Sequence, residues 1–182
     1  PDHLTIVGLL VGAASAVAVG AGHLRWGLVL VILAALPDLL DGALAKASGA
    51  ASERGAFFDS AVDRIADALL LGGIAYYYAA TASIDPRLSV LPFAVMAVSS
   101  VISYQRAKAE SLGLNAKGGL MERAERIILL CVGLLFSVVL VPILWIMLVL
   151  TTVTAIQRFF KVWKQAAVAP VTAERIELKR SR

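Results

Sequence analysis

Six long apolar runs, separated by short polar segments, constrain this chain more than any other feature. An α-helix needs about 20 apolar residues to cross ~30 Å of hydrocarbon. The pattern predicts helices over residues 5–20, 24–47, 58–80, 88–110, 120–141 and 142–163. No alternating strand pattern competes, and lipid excludes an open sheet edge because its backbone groups would go unsatisfied. Composition agrees: hydrophobic residues make up 59% and charged residues 16% of the 182 residues, where ordinary soluble domains carry roughly 25% charged residues. The expected fold class is an all-α integral membrane protein with six transmembrane helices. Its domain would span residues 1–164, with a basic cytoplasmic tail over 165–182 that leaves the membrane as a short surface helix.

The formal net charge of +4 would suggest a nucleic-acid partner in a soluble protein. Here the cations flank apolar runs, so the positive-inside bias is the better explanation. Of the 17 Lys and Arg residues, only Arg25 and Arg87 fall on one side of the predicted bundle. The remainder place both termini and both long charged loops in the cytoplasm. Cys131 is the one cysteine, which excludes an internal disulfide and CxxC-type metal sites. His3 and His23 are too far apart in sequence to suggest a His metal site. Trp26, Trp145, Trp163 and Tyr76–Tyr78 read as interfacial anchors. Ser and Thr residues within spans are expected to hydrogen-bond helices to one another. The chain opens at Pro1 without Met or a charged leader, so it is expected to be a fragment without a recognisable signal peptide.

The segment PDLLDGALAKASGAASERGAFFDSAVD, residues 37–63, concentrates the chemistry. Asp38 and Asp41 are three apart near the end of the second helix, and Asp59 and Asp63 are four apart at the start of the third. Either spacing puts both carboxylates on one helical face. A short connection containing Gly49 and Gly55 would aim the two pairs at each other. Carboxylates converging beside hydrocarbon are costly, at about 2.5–3.5 kcal/mol each on insertion scales. A divalent ion removes that conflict, and hard oxygen ligands suit Mg²⁺ or Mn²⁺. Two such ions would stabilise the attacking and leaving oxygens of a phosphoryl displacement. Gly42 and Ala45 leave bare surface for a phosphate ester, and Pro37 bends the helix before the ligands. The competing reading is four helix-end aspartates that reach water and pair with Lys46, Arg54 and Arg64.

A second charged loop, residues 103–127, carries Arg106 and Lys108 at the end of one helix and Lys117 in the connection. Arg123 and Arg126, three apart, share a face of the next helix. Folded over the aspartates, these cations would make an anion pocket, because the guanidinium fork suits phosphate oxygens. A neutral alcohol would need no such pocket; a phosphorylated one would. Glu110 and Glu122 could orient the cations or meet sugar hydroxyls. Alternatively these are positive-inside flanks paired with Glu110, Glu122 and Glu125.

The first segment resembles the signature of the CDP-alcohol phosphotransferase family, Asp-x2-Asp-Gly-x2-Ala-Arg-x8-Gly-x3-Asp-x3-Asp. Asp38, Asp41, Gly42, Ala45, Gly55, Asp59 and Asp63 match at every spacing, and Lys46 stands where the family has Arg. The resemblance implies that Asp38, Asp41 and Asp59 ligate metals and hold the CDP diphosphate. It implies that Asp63 ligates metal and deprotonates the acceptor hydroxyl, as the catalytic base. Gly42, Ala45, Lys46 and Gly55 would border the CDP-lipid. The opening PDHLT is similar to the family's Pro-Asn-x-x-Thr, which implies that Asp2 and Thr5 touch the nucleotide; a plain helix cap is the other reading. The second loop resembles that of the actinobacterial phosphatidylinositol phosphate synthases within this family. That likeness implies CDP-diacylglycerol and inositol phosphate as substrates, with Arg106, Lys117, Arg123 and Arg126 binding the acceptor phosphate. It also implies a homodimer and about two Mg²⁺ or Mn²⁺ ions per protomer. Two alternatives stay open: the same chemistry on another acceptor such as glycerol 3-phosphate, and a small cation transporter using the aspartates as an ion path. Transporters place polar groups near the midplane on broken helices, unlike the interfacial cluster here.

Overall fold

The computed structural model describes residues 2–35, 53–116 and 118–168, with side chains over 5–35, 54–116 and 118–168. These residues are mostly helical, and no strand occurs among them. The helices are α1 (Asp2–Gly20), α2 (Leu24–Ala35), α3 (Glu53–Ala80), α4 (Val90–Ser111), α5 (Arg123–Leu135) and α6 (Ser137–Val168). A short 3-10 turn, Pro86–Ser89, leads into α4.

Local chemistry moves several helix ends from where hydropathy puts them. α3 is helical from Glu53 rather than residue 58, so Gly55 lies in regular helix and not in a connection. α4 is preceded by a capped turn in which Asp85 accepts a hydrogen bond from the Arg87 backbone N–H at 2.9 Å, with Pro86 at the first position. α5 begins at Arg123 rather than residue 120. Glu122 and Glu125 form a reciprocal capping box there, satisfying two otherwise orphaned donors. The break between α5 and α6 falls at Phe136, not beside Pro142. Apolar character is continuous across this stretch, so hydropathy does not reveal the turn. Gly133 lets Leu140 pack close across the turn: a Cβ there would lie 2.6 Å from Leu140 Cδ1. α6 continues through Val168, past the expected domain boundary at residue 164, so the start of the expected tail is the last turn of a long helix.

The core draws on every helix, including Val19, Val31, Ile74, Val95, Leu134 and Leu144. α1 lies closely on α3, and the contact is tightest at Gly73. A Cβ at that position would come 2.5 Å from the Ala16 carbonyl oxygen and 3.0 Å from its Cα. Backbone cannot yield as a flexible side chain can. Gly73→Ala is therefore expected to destabilise by about 1–3 kcal/mol, the usual cost of overpacking, read as a lower Tm in detergent. An unchanged Tm would contradict this packing.

The membrane reading is met in part. By length and composition, Pro86–Ser111 and Ser137–Val168 are long and apolar enough to cross a bilayer. Thr5–Gly20 and Leu24–Ala35 are apolar but shorter. α5 has 13 residues, and the first half of α3 carries Arg54, Asp59, Asp63, Arg64 and Asp67. Six complete spans are thus more than the described helices show. The outer faces nevertheless expose Leu10, Val17, Phe93, Ile128, Val138 and Trp145. Apolar exposure on this scale marks contact with lipid or a partner rather than with water.

Most Ser and Thr hydroxyls bond within their own helix, contrary to expectation. Ser100 donates to the Met96 carbonyl, Thr151 to Met147 and Thr152 to Leu148, at 2.9, 2.7 and 2.7 Å. This back-bonding satisfies a hydroxyl where water is scarce. Ser15 is different: it donates to the Gly27 carbonyl at 2.8 Å and ties α1 to α2.

Candidate active site

The site forms where the acidic face of α3 meets the basic start of α5. Asp59, Asp63 and Asp67 recur every four residues on α3 and so share one face. Asp59 is exposed, while Asp63 and Asp67 are half-buried. Arg123 donates from Nη1 to the Asp63 carboxylate at 2.7 Å and lies 3.4 Å from Asp67 through Nε. Arg126, only 5% exposed at its side chain, donates to Asp67 Oδ2 at 2.8 Å. Arg64, one position past Asp63, also approaches Asp67, at 3.4 Å, and donates to the Ser103 hydroxyl on α4.

Beside this cluster lies a cavity of about 70 Å³. α1 contributes Thr5, Gly8 and Gly12 to its wall, and α2 contributes Ala34 and Ala35. α3 contributes Asp63 and Asp67, and α5 contributes Arg123. The rest of the lining, including Val31, Val62, Leu70 and Ile127, is apolar, so the cleft is an apolar one with an ionic edge formed by Asp63, Asp67 and Arg123. Such a cleft suits an amphiphile whose polar group must meet charged side chains.

The segment between α4 and α5 is stitched to one side of α6. The Met121 backbone N–H donates to Thr154 Oγ1 at 3.1 Å. Arg158, buried, donates to the Ile102 and Gly118 carbonyls at 3.1 and 3.0 Å. Further out, Gln165 donates to the Asn115 carbonyl at 2.7 Å and accepts from its N–H at 3.0 Å. The long reach of α6 thereby sets where α5 begins, and so where Arg123 and Arg126 stand.

The structure thus gathers Thr5, Asp63, Arg123 and Arg126, and places Asp59 one turn from Asp63. It sets Arg106 apart from that ion-pair cluster: Arg106 is 48% exposed and paired with Glu110 four residues on, at 3.0 Å. That pair is one the flank alternative expects, while Glu122 and Glu125 cap the start of α5. Asp38, Asp41, Gly42, Ala45, Lys46 and Lys117 lie outside the described residues, as does the side chain of Asp2. Sequence reading missed Asp67, although it extends the spacing of Asp59 and Asp63 by one more turn. It also counted Arg158 only as a cytoplasmic flank, because burial and carbonyl partners leave no trace in local sequence.

An ionic edge on an apolar cleft is the arrangement an enzyme acting on a charged amphiphile requires, and the comparisons give the class. Residues 1–162 match the CDP-alcohol phosphatidyltransferase family, so the chain belongs to that family and is an enzyme of its class. It is 39% identical over 169 residues to the phosphatidylinositol phosphate synthase of Mycobacteroides abscessus, covering 89% of this chain and 76% of that one. The synthase of Streptomyces avermitilis is 38% identical over 182 residues, covering 93% and 74%. The fold matches crystal structures of Mycobacterium tuberculosis phosphatidylinositol phosphate synthase. With CDP-DAG bound, that protein aligns at TM-score 0.83 and 32% identity over 94% of this chain and 88% of the other. In complex with manganese and citrate it aligns at TM-score 0.83 and 31% identity, over 94% and 84%.

Proposed function

We propose that this chain transfers the phosphatidyl group of CDP-diacylglycerol to inositol phosphate, releasing CMP and phosphatidylinositol phosphate. The observation that carries the proposal is the meeting of Asp63 with Arg123 at 2.7 Å, one turn from Asp59 and beside Arg126. A base and an anion-binding pair are then within reach of one small molecule. Neutral inositol would give Arg123 and Arg126 no anion to hold, whereas a phosphorylated acceptor supplies one.

The donor set suits a hard divalent ion. Asp59 and Asp63 offer carboxylate oxygens on one face of α3, and no group of three or more His, Cys, Asp or Glu donors occurs among the described residues. Asp38 and Asp41 would complete the set. When bound, Mg²⁺ or Mn²⁺, as two ions per protomer, would neutralise the diphosphate and the departing CMP. Thr5, with Asp2, Lys46, Gly42, Ala45 and Gly55, would border the nucleotide; Thr5 already lines the same cavity as Asp63. Arg123 and Arg126, joined by Lys117 and Arg106, hold the acceptor phosphate. Asp63 accepts the proton of the acceptor hydroxyl. The acceptor oxygen forms a bond to the lipid-side phosphorus as the phosphorus–oxygen bond to CMP breaks.

In this reading the chain forms six membrane-crossing segments over residues 1–164, with residues 165–182 as a cytoplasmic tail. Both termini and the active site face the cytoplasm of a bacterial plasma membrane. The protein works as a homodimer, and the acyl chains of its substrate remain in lipid.

The test is a panel of acceptors offered to purified protein with labelled CDP-lipid, with and without divalent metal. CMP release is expected with inositol phosphate, is expected to stop on chelation, and is expected to return with Mg²⁺ or Mn²⁺. A preference for glycerol 3-phosphate would overturn the acceptor assignment, and metal-independent release would overturn the metal role.

A further inference from the structure

Asp67 belongs to no part of the aspartate signature, yet it draws three arginines. Its two oxygens divide the work: Oδ1 faces Arg123 Nε at 3.4 Å, while Oδ2 takes Arg126 Nη2 at 2.8 Å and faces Arg64 Nη2 at 3.4 Å. Arg123 and Arg126 come from α5, so one carboxylate on α3 fixes both from across the helix interface. The Asp67 side chain is 15% exposed and Arg126 5%. Ionic groups this far from water are poor sources of stability, since desolvation offsets much of their attraction. Their better-supported value is in fixing geometry. A free arginine side chain samples many rotamers, so an anchored one meets an incoming phosphate with less freedom left to lose. The cavity wall contains Asp67 itself beside Asp63 and Arg123, so the anchor lies at the site and not behind it.

We infer that Asp67 is a positioning residue for the acceptor: it presents Arg123 and Arg126 in the arrangement that captures the acceptor's phosphate. This rests on the acceptor reading above. Asp67 touches neither reacting atoms nor nucleotide in this role, so its loss acts on acceptor capture far more than on the donor lipid.

The experiment is steady-state kinetics of purified Asp67→Asn and Asp67→Glu, varying acceptor and CDP-lipid separately. Wild-type protein is first assayed with inositol phosphate and with glycerol 3-phosphate. If it prefers the latter, the acceptor assignment above fails, and the Asp67 comparison is read with glycerol 3-phosphate instead. Asp67→Asn is expected to raise the acceptor KM at least tenfold while the CDP-lipid KM stays within twofold. Asp67→Glu keeps the charge but displaces it by a methylene, and its acceptor KM is expected to rise at least threefold yet stay below that of Asp67→Asn. Parallel rises in both KM values, or an unchanged acceptor KM, would overturn the inference. Should Asp67→Asn not fold, Asp67→Glu carries the same test: a rise confined to the acceptor supports the role, and an unchanged acceptor KM overturns it.

Discussion

Asp63→Asn is expected to abolish measurable turnover while the protein still folds and retains some CDP-lipid binding. Asn has the same shape and can still accept from Arg123, whose donor lies 2.7 Å from the Asp63 carboxylate. It cannot take a proton, and it is a weaker ligand for a hard cation. Loss of general-base catalysis alone is worth about 10²–10⁴-fold in rate, and loss of a metal ligand adds to that. CMP release from labelled CDP-lipid measures the first effect, and thermal stabilisation by CDP-lipid measures the second. Normal turnover in this variant would remove Asp63 from the chemistry.

Arg126→Ala is expected to raise the acceptor KM at least tenfold, with little change in the KM for CDP-lipid. It is also expected to lower Tm, because Arg126 and Asp67 are 5% and 15% exposed and 2.8 Å apart. Removing one partner of a buried pair costs about 3–5 kcal/mol; Asp67 keeps Arg64 and Arg123, which puts the loss toward the lower figure. Arg126→Lys separates the two effects. It restores charge beside Asp67 and so most of the stability, but it lacks the planar fork that grips phosphate. Its acceptor KM should stay well above that of the wild type. Equal changes in both KM values would count against an acceptor role for Arg126.

The helical class and the shared faces of the charged residues are legible in the sequence because each rests on a local pattern. Apolar runs locate α1, α2, α4 and α6, and the i,i+4 spacing puts Asp59 and Asp63 on one face of α3. The i,i+3 spacing of Arg123 and Arg126 likewise foretells that both reach the same neighbour. What escapes is what depends on partners distant in sequence. The turn at Phe136 also escapes, because it sits inside uniformly apolar sequence. Arg106 and Arg126 look equally basic in sequence, but one is paired at the surface with Glu110 and the other is drawn inward by Asp67. Arg158 reads as a membrane flank until α4 is folded against it and the Ile102 carbonyl becomes its partner. Asp67 carries the right spacing, yet only the packing of α5 on α3 gives that spacing a meaning.

The most direct measurement is anomalous diffraction at the manganese edge from crystals of this chain grown with Mn²⁺ and CDP-lipid. The expected result is strong density enclosed by the carboxylates of Asp38, Asp41, Asp59 and Asp63, next to the lipid diphosphate. Density at some other cluster, or side chains too dispersed to share an ion, would contradict it.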